Sequence, residues 1–270
     1  MGTSLAIGAG LIAFGPSVML WTFLVAKGPA LVIIGIVSAF FWLMSIALAA
    51  LLWRMTPFAE DIWFLTVTTG VVLQGFGRLV LARAYLRVEH VLNSIQARAS
   101  GEEAECEGSF LGDDSNDSGQ TALESEGGKM LFLKLNGVSS SLAAGTGWGA
   151  MHAVVMMAGP LARHMGMGAM FSPRCPWMPS VITLALSAQA FVWLDLLLIS
   201  AAFSAERRRD ARLTWLSFAL HYLAGLTTCL NHAGGGCAAS IPLLYVVVIG
   251  ASIVLHRFGL FRWFAASNVR

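Results

Sequence analysis

Seven apolar stretches, roughly 5–25, 30–53, 62–82, 130–161, 181–202, 213–230 and 239–255, run through this chain of 270 residues. Most reach about 20 residues, the length a helix needs to cross about 30 Å of hydrocarbon. A chain that buries its backbone in lipid has few options, and a helix satisfies every N–H and C=O within its own segment. The spacing therefore predicts an all-α, polytopic membrane protein with seven transmembrane helices.

The flanking cations set the expected orientation. With the N-terminus outside, the inner segments carry Lys27, Arg83, Arg87, Arg98, Lys129, Arg207, Arg208, Arg209, Arg212, Arg257, Arg262 and Arg270. The outer segments carry Arg54, Arg163 and Arg174, while Arg78 and Lys134 fall within or near helix ends. Twelve against three points to a lumenal or extracellular N-terminus and a cytoplasmic C-terminus under the positive-inside rule.

Composition agrees. With 57% hydrophobic and 12% charged residues and a mean hydropathy of +0.71, the chain departs from soluble domains, which carry about 25% charge. The spans nearly use up its length, so one seven-helix membrane domain is expected over 1–270. The first stretch lacks a basic leader region and runs into Phe14-Gly15-Pro16. It reads as a retained span rather than a cleaved signal peptide. A net charge of +2 gives no reason to expect nucleic acid as a partner; lipid is the expected surroundings.

Between the third and fourth stretches lies the one long hydrophilic segment, about 99–128. It holds Glu102, Glu103, Glu105, Glu107, Asp113, Asp114, Asp117, Glu124 and Glu126, with no Lys or Arg before Lys129. The expectation is a disordered acidic cytoplasmic loop, since such a segment has too little apolar surface to offset its ordering entropy. The third helix is expected to continue past the membrane over 83–96 as an amphipathic, basic piece beside the lipid surface. Asn116-Asp117-Ser118 is the sole glycosylation sequon, and it falls on the inner side. Cys175 and Cys237 both fall in outer loops. They would form a disulfide there or remain two small residues at loop–helix edges. Cys106, on the inner side, should stay reduced.

Two features mark the interior of the spans. In the fourth stretch, Gly137, Ser141, Gly145, Gly149 and Ala153 recur every four residues and so share one helix face. Small residues at that step let helix backbones approach closely in lipid. The seam therefore serves tight packing within this chain or a groove for a partner helix, and His152 borders it. The second feature is Asp195, the one carboxylate well inside a span. His221 matches its depth on the next helix, and Gly225 follows one turn later. Ionisable groups in hydrocarbon face the protein interior and find partners, so a buried Asp195–His221 hydrogen bond is expected. Gln74 and Arg78 lie one turn apart in the third span; Arg78 is placed to snorkel toward the headgroups and Gln74 to bond another helix.

Chemistry has little to stand on in this set. An intramembrane aspartyl protease needs two carboxylates sharing a proton, and Asp195 has no second one at its depth. Structural pairing and a protonation site both stand as readings of Asp195 and His221. Scattered His and Cys argue against a metal, and no phosphate loop or dinucleotide fingerprint calls for a cofactor; none is expected.

Ile12-Ala13-Phe14-Gly15-Pro16 in the first span and Ala39-Phe40-Phe41-Trp42-Leu43 in the second, with the small-residue ladder of the fourth, resemble the anterior-pharynx-defective family. That family supplies the scaffold subunit of gamma-secretase. Gln74 to Arg78 is similar to its Gln-Glu-x-x-Arg pattern, with Gly75 in the place of the Glu. Glu206-Arg207-Arg208-Arg209 resembles its turn between helices 5 and 6, and His221 its helix 6 histidine. Gly137, Ser141 and Gly145 fall where three stepped glycines are expected, with Ser in the middle place. Asp195 falls on or beside the family's helix 5 histidine. The likeness is closest over 5–53, collinear over the other helices and absent over 99–128.

The resemblance implies a non-catalytic subunit that assembles with presenilin-like, nicastrin-like and presenilin-enhancer-like proteins. The complex would cut single-pass membrane proteins within the bilayer, using presenilin's two aspartates. The implied location is the endoplasmic reticulum and Golgi, and onward to the plasma membrane or endosomes. Two other classes share the helix count. A seven-helix receptor would want an Asp/Glu-Arg-Tyr-like triplet where helix 3 ends in Gln74-Gly75-Phe76-Gly77-Arg78, and an Asn-Pro-x-x-Tyr-like kink that the last helix lacks. A small-solute transporter would have to work with Asp195 and His221 at the midplane.

Overall fold

The computed structural model describes residues 2–56, 62–109, 137–164, 171–172 and 175–258. Among these described residues seven α-helices follow one another: α1 (Gly2–Phe23), α2 (Pro29–Met55), α3 (Trp63–Ser109), α4 (Gly137–His164), α5 (Ser180–Arg208), α6 (Ala211–Cys229) and α7 (Cys237–Arg257). Before α5 a short antiparallel pair forms from β1 (Phe171–Ser172) and β2 (Cys175–Pro179). Cys175 in β2 and Cys237 at the start of α7 are joined by a disulfide.

Among the described residues, five helices are long and apolar enough to cross a membrane: α1, α2, α5, α7 and the Phe64–Ile95 portion of α3. The other two, α4 and α6, lack so long an apolar run, and for α4 the reason is physical. From Val138 to Gly149 most of α4 is buried in the protein, so its Gly, Ser and Thr meet other helices rather than lipid.

Residues up to Arg83, together with those from 136 onward, form one compact unit, and 84–135 a second. Within the second, the described residues 84–109 continue α3 as helix. That corrects part of the expected acidic loop: its first eleven residues, 99–109, are helical. Ala104 and Glu102, Glu103 and Glu105 are good helix formers and no proline interrupts them, so propensity carries the helix on. The rest of that segment, 110–128, and the sequon with it, lies outside the described residues.

In the first unit α5 is the central post. Its Val181, Ala185, Ala188 and Val192 pack with Ala9 and Ala13 of α1 and with Ala153 and Met157 of α4. Farther along, Leu194 and Leu198 meet Ala224 of α6 and Leu244, Val247 and Ala251 of α7. Ala201 and Ala205 complete the post against Leu213 and Leu255. Small side chains on the contact faces allow these close approaches.

The α4 seam is already occupied. A Cβ on Gly145 would lie 2.9 Å from Leu196 Cα, and one on Gly149 3.1 Å from Val192 Cα, both in α5. Ser141 and Ala153 on the same face are fully buried. The groove for a partner helix is therefore corrected: this chain's own α5 fills it. A second close crossing joins α4 to α2, where any Cβ on Gly147 would strike the Gly35 carbonyl. Ser38 Oγ donates to the Ala144 carbonyl at 2.6 Å beside it.

The tight connection between α5 and α6 turns at Arg209, which adopts φ 53°. Asp210 then caps α6, its carboxylate accepting from the Arg212 backbone N–H at 3.0 Å.

A buried ionic cluster as the candidate functional site

Arg78, Asp195, His152 and His221 come from α3, α5, α4 and α6, so four helices contribute one residue each. Arg78 Nη2 donates to Asp195 Oδ1 at 2.5 Å. On the other carboxylate oxygen, His152 Nδ1 donates to Oδ2 at 2.7 Å. Arg78 Nη1 is 3.0 Å from His221 Nδ1. Arginine has donors and no acceptor, so His221 Nδ1 accepts there and keeps its proton on Nε2. An arginine buried to 1% exposure beside a fully buried aspartate is tolerable only because each neutralises the other and the fork geometry fills several bonds at once.

Aromatic rings wall the cluster. The Arg78 guanidinium carbon lies 5.3 Å from the centre of the Trp148 ring. His152 is flanked by Trp42 at 5.1 Å and Phe191 at 4.7 Å between ring centres, and Phe191 meets His221 edge-on at 6.4 Å. A shallow cleft of about 230 Å³ reaches the cluster, lined in part by Trp53, Gly70, Gln74, His152, His221 and Gly225.

Two expectations change. The Asp195–His221 bond is replaced by a relay in which Arg78 stands between them. Arg78 does not snorkel to the headgroups; it turns inward because Asp195 offers a full countercharge. His152, at the border of the α4 seam, is satisfied within the chain by Asp195. Gln74, expected to bond another helix, is buried with its Oε1 lacking a hydrogen-bond partner among the described residues, and Arg78 Nε lacks one too. Gly75 is filled from outside: a Cβ there would lie 2.5 Å from the Phe218 ring carbon Cζ. The rings of Trp42, Trp148 and Phe191 were missed by sequence reasoning. Their one available signal was aromatic residues inside spans on helices that also carry the polar groups.

The profile of the Aph-1 protein family matches residues 4–259, nearly the whole chain, and takes in all seven helices and all four cluster residues. The chain belongs to the Aph-1 family. Across 267 residues it is 28% identical to a gamma-secretase subunit APH1-like of Arabidopsis thaliana, covering 97% of this chain and 94% of that one. It is 34% identical over 88 residues to gamma-secretase subunit Aph-1 of Drosophila melanogaster, covering 33% of this chain and 37% of that one. With gamma-secretase subunit APH-1B of Homo sapiens it shares 40% identity over 61 residues, covering 23% of this chain and 24% of that one. In this Aph-1 protein the ionic cluster ties α3, α4, α5 and α6 together at one point in the bundle interior. An arrangement with every charged oxygen occupied is suited to holding helices in register rather than to activating water.

Proposed function

We propose that the chain is a non-catalytic scaffold subunit of a gamma-secretase-type intramembrane protease complex. The match of its whole helical framework to the Aph-1 family carries the reading, and relatives named as gamma-secretase subunits support it. The commitment of both Asp195 oxygens to Arg78 and His152 supports a structural carboxylate rather than an acid–base group. The partners are presenilin-like, nicastrin-like and presenilin-enhancer-like membrane proteins. The N-terminus faces the lumen or exterior, which also sets the Cys175–Cys237 bond on the oxidising side. Residence runs from the endoplasmic reticulum and Golgi to the plasma membrane or endosomes.

Affinity purification in a mild detergent, followed by identification of what is retained, tests the reading. Recovery of a presenilin-like and a nicastrin-like protein is the expected result. Recovery of a heterotrimeric G protein, with neither subunit present, would overturn it in favour of a receptor.

A further inference from the structure

A crevice of 730 Å³ opens between α3 and the connection from α5 to α6, on residues that the ionic cluster does not use. Its two walls carry the same gradient. Along α3, Val72, Phe76, Leu79 and Arg83 line it in steps of three or four residues, and so from a single helix face. Along α6 the order reverses, with Asp210 and Thr214 at the mouth and Trp215 and Phe218 deeper in. From Val72 to Arg83 the apolar run ends in a cation after about 16 Å, at about 1.5 Å per residue. That is close to half the thickness of a bilayer core, about 15 Å.

The mouth is basic and partly uncommitted. Arg83 Nη2 lies 3.0 Å from Glu206 Oε1, and the Asp210 carboxylate is turned to the Arg212 backbone. Both acids at the rim are thus engaged. Arg209 lines the same rim, is exposed, and its guanidinium has no hydrogen-bond or ion-pair partner among the described residues. It also holds φ 53°, a conformation that side-chain-bearing residues rarely adopt. Arg207, Arg208 and Arg212 lie in the same turn, so residues 206–212 hold four cations against two acids.

We propose that this crevice is a binding site for an anionic glycerophospholipid. One acyl chain lies along Val72, Phe76, Trp215 and Phe218, and the phosphate sits on Arg209, with the outer edge of Arg83 beside it. Two exposed aromatics, Phe76 and Trp215, and the half-buried Phe218 give the chain an aromatic wall. Cations at a membrane surface attract anionic headgroups, and the apolar depth excludes a free phosphate as the natural occupant.

The test uses the purified full-length protein in nanodiscs of equal phosphatidylglycerol and phosphatidylcholine, with retained lipid counted by native mass spectrometry. Wild type should retain phosphatidylglycerol in preference to phosphatidylcholine. Arg209→Gly relieves the left-handed backbone, so it folds at least as well, and should lower retained phosphatidylglycerol about fivefold, the scale of one cation at a membrane surface. Arg209→Lys should keep most of it, and Arg54→Gln, away from the crevice, should change nothing. Val72→Trp, which narrows the apolar wall, should reduce retention of both lipids. Equal retention of the two lipids by wild type, or phosphatidylglycerol unaffected by Arg209→Gly, would overturn the proposal.

Discussion

Arg78 and Asp195, 117 positions apart in the chain, meet at 2.5 Å in the bundle interior, their side chains 2% and 0% exposed. Neither charge is tolerable alone at that depth, so each helix specifies the other's place. Asp195→Ala leaves a buried arginine without its counterion and should destabilise the protein by about 3–5 kcal/mol. Thermal unfolding in detergent, followed by helical circular dichroism, reads the loss. The double replacement Arg78→Met with Asp195→Leu removes both charges and should recover most of it, since an apolar pair of similar volume is often neutral. A double variant no more stable than Asp195→Ala would show that the ion pair is not what holds α3 to α5.

Gly147→Leu and Gly145→Leu both insert a side chain into a backbone, that of Gly35 in α2 and Leu196 in α5 respectively. Overpacking of this kind costs about 1–3 kcal/mol, and rotating the Leu196 side chain would not relieve the contact with its backbone. Each variant should lose its monodisperse peak in size-exclusion chromatography. Gly250→Leu should keep it, because nothing lies within 4 Å of the added Cβ.

Phe218 occupies the space above Gly75. Gly75→Ala alone should therefore lower the midpoint of thermal unfolding, and Phe218→Ala in the same chain should restore part of it. Additive losses in the double variant, with no coupling between the two sites, would contradict the contact.

The Cys175–Cys237 bond closes a segment whose ends lie 62 positions apart and ties the strand pair before α5 to the start of α7. Replacing both cysteines by Ser should cost about 2–4 kcal/mol. A mobility shift of the wild type under reducing conditions, absent in the double variant, checks that the bond forms. An unchanged unfolding midpoint would show that α7 holds its place without it.

Much of this fold was legible. The apolar stretches located all seven helices, because lipid admits few other ways to satisfy a backbone. The step of four along Gly137, Ser141, Gly145, Gly149 and Ala153 marked a close helix contact. It did not say whose helix fills it, since small residues invite any helix and α5 is the nearest. Asp195 and His221 were legible as one polar neighbourhood. The link between them was not: Arg78 falls near the end of the third apolar stretch, where snorkelling and inward pairing look alike until the α3–α5 crossing is known. His152 was visible at the border of the seam, but its bond to Asp195 depends on how α4 crosses α5. The helical turns over 99–109 escaped notice because net charge dominated the reading, while helix propensity pointed the other way.

If the chain supports intramembrane proteolysis without performing it, as proposed above, a purified complex carrying Asp195→Asn should still cut its substrate. Cleavage of a single-pass membrane substrate is measured per assembled complex, against wild type. The expected result is less complex, through the unneutralised Arg78, with cleavage per complex unchanged. A complex that assembles in full yet cuts nothing would contradict it and make Asp195 a catalytic group.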